Sequence, residues 1–176
     1  MKIYAFLIID KKSLSCAFDL MSFNYFKRNS IQEFIIFGCN TLAKRTNSGE
    51  CRSVKHEQFV IHIIKSENDV SYLCVSDDEY PSRVIYDALN KIQNDEIRNE
   101  NELHEILKYY QDPSNVDKIS RVKKELENTI ETLRETIDSV LNRGEKLDTL
   151  VKESVDLSLQ SKIFYENSKD KCCIIC

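Results

Sequence analysis

Hydrophobic and polar positions follow two different periods along this chain, and the change between them falls near residue 112. Residues 2–9, KIYAFLII, form a near-continuous apolar run with aromatic and β-branched members, the pattern of a central strand buried on both faces. After a polar turn at Asp10, Lys11 and Lys12, the residues Leu14, Cys16, Phe18 and Leu20 alternate with Ser15, Ala17 and Asp19, which predicts a second strand hairpinned to the first. Ser30 and Glu33 have capping-box spacing and predict a helix over 31–45. Apolar runs around 50–56, 59–65 and 70–76, joined by polar turns, complete an expected sheet of five strands. Pro81 suits the first position of a helix, and Val84, Ile85, Ala88, Leu89 and Ile92 then recur at helical spacing. Leu103, Ile106, Leu107 and Tyr110 predict one more short helix before Gln111–Ser114 breaks the pattern. An α/β domain over 1–110 and a linker over 111–117 are expected.

The helix over 31–45 carries more apolar surface than one packing face needs. At about 100° per residue, Ile31, Phe34, Ile35, Gly38 and Leu42 share a stripe, while Ile36 and Phe37 project to either side of it. Either this helix is buried all round within its own domain, or the surface around Phe37 is a groove for a partner helix.

Beyond the linker the period becomes that of a coiled coil. Steps of three and four residues give Ile119, Val122, Leu126, Thr129, Leu133, Thr136, Val140, Arg143, Leu147, Leu150, Ser154, Leu157, Ser161 and Phe164. A seam sustained over that length predicts a long helix with a charged, solvated outer face. The seam also carries defects. Four positions are small polar residues, Gly144 costs about 1 kcal/mol relative to alanine in a helix interior, and Arg143 would carry a charge inward. Such a helix should be unfolded alone or docked elsewhere. A buried guanidinium loses several kcal/mol of solvation, on the order of a salt-bridge desolvation penalty, unless acceptors fill its fork of donors. Arg143 is therefore either exposed by a local shift of register or a polar layer bonded to carbonyls on neighbouring helices, flanked by Val140 and Leu147.

Composition narrows the chemistry. Lys+Arg 25 against Asp+Glu 29 leaves a net charge of -4, which gives no electrostatic footprint for nucleic acid. The three glycines form no phosphate-binding loop, so a nucleotide-binding GTPase is not expected. His56, His62 and His104 have no metal spacing, and no Ser/His/Asp or paired-carboxylate arrangement stands out. No enzyme activity, metal, cofactor or small-molecule substrate is expected. The run Ile3–Ile9 is too short and poorly flanked for a signal peptide, and no apolar run reaches the length of a membrane span. A cytoplasmic protein is expected, with Cys16, Cys39, Cys51 and Cys74 acting as small buried hydrophobes.

The final residues, CCIIC, are the remaining oddity. Cys173, Ile174, Ile175 and Cys176 form a C-a-a-X pattern with Cys173 as the prenylation site, farnesyl being favoured by the small final residue. One lipid chain binds a membrane only marginally, and Cys172 offers a place for a palmitoyl or second prenyl group. Cys173 and Cys176 also spell CxxC, but the tail supplies neither the helix N-terminus of a redox pair nor further zinc ligands.

Taken together, VLNRGEKLDTLV around Arg143 resembles the SNARE motif of an R-SNARE, while FKRNSIQEFIIF and DDEYPSRV resemble a longin domain. With the C-a-a-X tail, the whole chain resembles the lipid-anchored longin R-SNAREs of the secretory and vacuolar pathways. The resemblance implies an α+β chain. A profilin-like longin domain, with a five-stranded antiparallel sheet and helices on both faces, would precede a long SNARE coiled-coil helix over 118–168 and a lipidation tail over 169–176. It implies that Arg143 is the central-layer arginine facing three Q-SNARE helices in a parallel four-helix bundle. Phe37, with Phe34 beside it, would belong to an autoinhibitory groove on which the SNARE segment folds back. The expected partners are those helices, a prenyltransferase and the cytosolic face of Golgi, endosomal or vacuolar membranes. The competing reading is a prenylated coiled-coil adaptor or tether that does not drive fusion.

Overall fold

The structure is a computed structural model that describes residues 1–11, 13–111 and 134–172, with backbone alone at Arg134 and at 169–172. The N-terminal apolar run forms β1 (Ile3–Ile9), and the alternating run after it forms β2 (Leu14–Phe18), antiparallel with Phe6 opposite Ala17. A long helix, α1 (Tyr25–Arg45), leads to β3 (Cys51–His56), β4 (Phe59–Lys65) and β5 (Ser71–Asp77). β5 returns to the middle of the sheet between β1 and β4. The sheet order is β2-β1-β5-β4-β3, antiparallel throughout, with one addition: β6 (Arg134–Thr136) lies parallel on the free edge of β3. The five strands expected from the alternation are thus joined by a sixth from the second half of the chain. Three residues are too few to show a period.

The strands at the centre are buried on both faces, which requires a cover on each. On one face, α2 (Ser82–Asn94) and α3 (Glu100–Tyr110) pack Val84, Ile85, Leu89, Leu103 and Leu107 against Phe6, Ile8 and Cys74. On the other, α1 packs Ile35, Cys39 and Leu42 against Leu7, Ile63, Leu73 and Val75. Gly38 lets α1 approach closely, since a Cβ there would stand 3.2 Å from Ile61 Cδ1. This is the α+β arrangement with helices on both faces.

Two helix starts differ from the expectation. α1 begins at Tyr25, because Asn24 supplies an earlier cap by accepting from the Phe26 amide at 3.1 Å. Ser30 is instead a buried residue within the helix. Pro81 is the cap of α2, not its first residue.

The single long helix expected over 118–168 is not the conformation of its described part. After β6 the chain forms α4 (Ile137–Val140), α5 (Leu147–Glu153) and α6 (Leu159–Cys172). The breaks fall at the seam defects. Arg143 and Gly144 form a turn in which Gly144 takes φ +93° and the Glu145 amide donates to the Asn142 carbonyl at 2.9 Å. At the second break Ser154 Oγ accepts from the Asp156 amide at 3.2 Å. Among the described residues, no helix is long and apolar enough to cross a membrane.

Candidate docking surface for the C-terminal segment

The second half of the chain is held on the first at three levels. The first is the sheet edge, where Ser53, Val54 and Lys55 of β3 face Arg134, Glu135 and Thr136 of β6. An open strand edge presents unpaired amides and carbonyls, so β6 satisfies groups that β3 would otherwise leave to water. Beside this pairing Arg52 forks onto Glu135, Nε to Oε1 at 3.3 Å and Nη2 to Oε2 at 2.7 Å. Its third nitrogen, Nη1, donates to the Arg45 carbonyl at 3.2 Å. Both members of the pair are less than a third exposed, at 24% and 32%, which makes this a directional, charge-assisted contact.

The second level is apolar. Ile137 and Val140, a turn apart on α4, join the core between α1 and β3, and Leu147 packs against its rim. The intervening turn is fastened to the C-terminal end of α1. Arg45 Nη2 donates to Glu145 Oε2 at 2.8 Å, and the same oxygen accepts from the Asn142 amide at 2.9 Å. These two donors, Arg45 first, hold the Glu145 carboxyl below its ordinary value of 4.5.

The third level lies along α1 itself. Glu33, which the sequence assigns to a capping box, accepts from the Ser158 amide at 2.8 Å and so secures the chain just ahead of α6. That bond pulls the Glu33 carboxyl down as well. Phe34 stacks on Tyr165 at 5.4 Å between ring centroids and meets Phe164 at 6.5 Å, while Lys27 Nζ stands 5.8 Å above the Phe164 ring. Tyr165 also donates to Asp148 Oδ1 at 2.9 Å, tying α6 to α5. Burial, with Asp148 beside it, pushes the Tyr165 phenol well up.

The seam residues separate in this arrangement. Val140 and Leu157 are buried, Ser161 is fully so, and Leu147, Leu150, Ser154 and Phe164 are half-buried. Thr136 and Arg143 are exposed, Arg143 on the turn opened by Gly144. Ile119, Val122, Leu126, Thr129 and Leu133 lie outside the described residues, as do Cys173, Ile174, Ile175 and Cys176. Cys172 closes α6. Of the two α1 phenylalanines expected at a groove, Phe34 meets the docked segment, and Phe37 is half-buried one turn further along. Sequence reasoning missed Arg45, Arg52, Ile137, Leu141 and Val151. Ile137, Val140 and Leu141 stand at i, i+3 and i+4, a short apolar face lying to one side of the seam, and that spacing was the available signal.

Comparison with known proteins matches this division of the chain. Residues 20–102 match the longin family, described as a regulated-SNARE-like domain, and residues 118–174 match synaptobrevin. "Synaptobrevin homolog ykt6" of Schizosaccharomyces pombe is 42% identical over an alignment covering 99% of this chain and 100% of that protein. The chain belongs to the longin-domain synaptobrevin family. "VAMP-like protein YKT61" of Arabidopsis thaliana is 37% identical over 99% of this chain and 100% of its own length. "Synaptobrevin homolog YKT6" of Saccharomyces cerevisiae is 36% identical over 89% and 88%. Longin-domain synaptobrevins are SNARE proteins of vesicle trafficking and not enzymes.

Two expectations follow for the longin–synaptobrevin contact. Arg52→Gln removes the fork to Glu135 and should weaken docking by about 1 kcal/mol, so amide exchange over residues 134–157 should quicken about fivefold. Exchange in β4 and β5 should not change, and unaltered exchange over 134–157 would remove the ion pair from the docking account. Acid should act in the same direction. Glu145 and Glu33 have carboxyls lowered by the docked state, so their contribution is complete above 4.5 and drains away as pH falls through the lowered values. Proteolysis of 134–165 should rise below that pH while the sheet is retained. A Glu33→Gln/Glu145→Gln variant should lose most of the pH dependence.

Proposed function

We propose that this chain is an R-SNARE whose SNARE segment, 118–168, is stored on its longin domain, 1–110, and released across the linker 111–117 to enter a fusion bundle. The observation that carries the reading is that Val140, a seam position, is buried in the core that α1 closes, and that the buried seam positions Leu157 and Ser161 flank the Ser158 bond to Glu33 of α1, while Arg143 stays exposed. The apolar seam residues cannot face α1 and three partner helices at once, so docking and bundling compete for them. On release, the segment straightens through Arg143 and Gly144, and the seam assembles with three Q-SNARE helices. Arg143 enters the bundle as its central polar layer, one glutamine from each partner accepting from its guanidinium, with Val140 and Leu147 sealing the layer from water. Zippering from the membrane-distal end draws the tail towards the opposing bilayer. The energy comes from helix assembly.

The tail supplies the membrane attachment. A prenyltransferase adds farnesyl to the Cys173 thiol, and Cys172 takes a palmitoyl or second prenyl group. One lipid allows the protein to cycle from the cytoplasm to the cytosolic face of Golgi, endosomal or vacuolar membranes, and two retain it there.

The test is assembly of residues 1–171 with sets of three Q-SNARE helices, read as new helical signal that resists denaturant. One set should give a stable four-component complex, and Arg143→Leu should alter partner choice or disassembly. Absence of any complex, with the lipidated protein still reaching membranes, would support the adaptor instead.

A further inference from the structure

The apolar residues ahead of α1 are presented outward on a stiff support. Met21, Tyr25 and Phe26 are 74%, 75% and 82% exposed. The chain around them is nevertheless fastened. Asp19 Oδ1 accepts from the Met21 amide at 3.2 Å, and Arg28 donates from Nε to the Phe23 carbonyl at 3.1 Å and from Nη2 to the Met21 carbonyl at 3.2 Å. The Arg28 guanidinium lies 5.8 Å from the Tyr25 ring, and Tyr25 meets Phe26 edge-on. Leu20 is buried beneath, and the Phe23 ring lies 5.3 Å from that of Tyr4 and 6.3 Å from that of Phe59. Three large apolar side chains are therefore held in water by a segment that is anchored through Leu20 and Phe23. Large exposed apolar side chains grouped in this way mark a candidate contact surface.

The direction of α6 points to what that surface meets. Residue 158 is bonded to Glu33, whereas Phe164, further along, lies between Phe34 and Lys27, so α6 runs back along α1 towards its N-terminus. Eight more residues at about 1.5 Å each bring Cys172 level with the start of α1. The described end of α6 then stands at the level of the helix turn that carries Tyr25 and Phe26. Lys27 and Arg28 flank this patch, and Lys169 and Lys171 precede the tail. The three side chains protrude, each mostly exposed, and so make a crest without the walls that a helix or a lipid chain needs. Aromatic residues with basic neighbours on a convex surface suit the headgroup region of a bilayer.

We propose that Met21, Tyr25 and Phe26 insert into the headgroup region of an anionic membrane and form a second attachment beside the lipidated tail. The geometry rests on reading Cys173 as the lipid anchor. Two weak attachments on one rigid body reinforce each other, so the docked form would lie on the membrane with the N-terminal end of α1 facing it.

The chain has no tryptophan, so Phe26→Trp in the full chain gives a single reporter. Prenylated and unprenylated forms are titrated with vesicles of phosphatidylcholine containing a quarter phosphatidylserine. In both forms the emission should shift to the blue on vesicles and be quenched by lipids brominated near the headgroup. Met21→Ser/Tyr25→Ser should weaken vesicle binding of either form about tenfold. Vesicle-bound protein whose emission stays that of water would overturn the proposal. So would emission already blue in solution that turns red on removing residues 172–176, since the tail itself would then be the cover. Equal binding of the two forms would refute the anchor while leaving a blue shift as support for the aromatic contact.

Discussion

An apolar side chain can be removed from water in only one place at a time, and under the proposed function residues 136–164 would have two, the longin domain and a helical bundle. Their seam is polar enough at Thr136, Arg143, Ser154 and Ser161 that an isolated helix would gain little. Against the longin domain the same stretch breaks where it is weak, at Gly144 and again after Glu153, and buries Ile137, Val140, Leu141, Val151 and Leu157. Burial of these aliphatic side chains favours docking, and the backbone entropy lost on ordering the segment opposes it.

α1 is the element that couples the two halves. One face of it closes the core over the sheet through Ile35, Cys39 and Leu42. Its other side carries the contacts to the segment, Phe34 and Lys27 towards Phe164 and Glu33 towards Ser158, with Arg45 at its end reaching Glu145. The ion pairs add direction to a contact whose strength is mainly apolar. Arg52 and Glu135 set the register of β6 on β3, and without a fixed register a three-residue strand would specify little. The Asn24 cap and the contacts of Arg28 extend α1 beyond the start that Ser30 suggests, and that extension carries Tyr25 and Phe26 into water.

The period of the chain made most of the longin domain legible. KIYAFLII has the pattern of a central strand and forms one, and the spacing of Val84, Ala88, Leu89 and Ile92 matches the buried face of α2. Local chemistry was less decisive where two solutions existed. Ser30 and Glu33 have the spacing of a cap, but Asn24 offers one earlier and Glu33 is used by Ser158. The heptad spacing predicts one long helix, whereas the described part of this stretch folds back in pieces. Nothing local could reveal that Arg52 meets a carboxylate 83 residues away. Such pairs depend on the tertiary path, which a period does not encode.

The central claim is that docking and bundle assembly draw on the same side chains, and it can be measured without altering the SNARE segment. Phe34→Ala, Arg45→Ala and their double variant change only the longin side. For each, the open fraction is taken from amide exchange over 134–165, and the rate of entry into a bundle is measured with a fixed set of partner helices. If the segment must leave the longin domain first, rate and open fraction rise in proportion, with a slope of about one on logarithmic axes. A rate that stays constant while the open fraction rises would contradict the account.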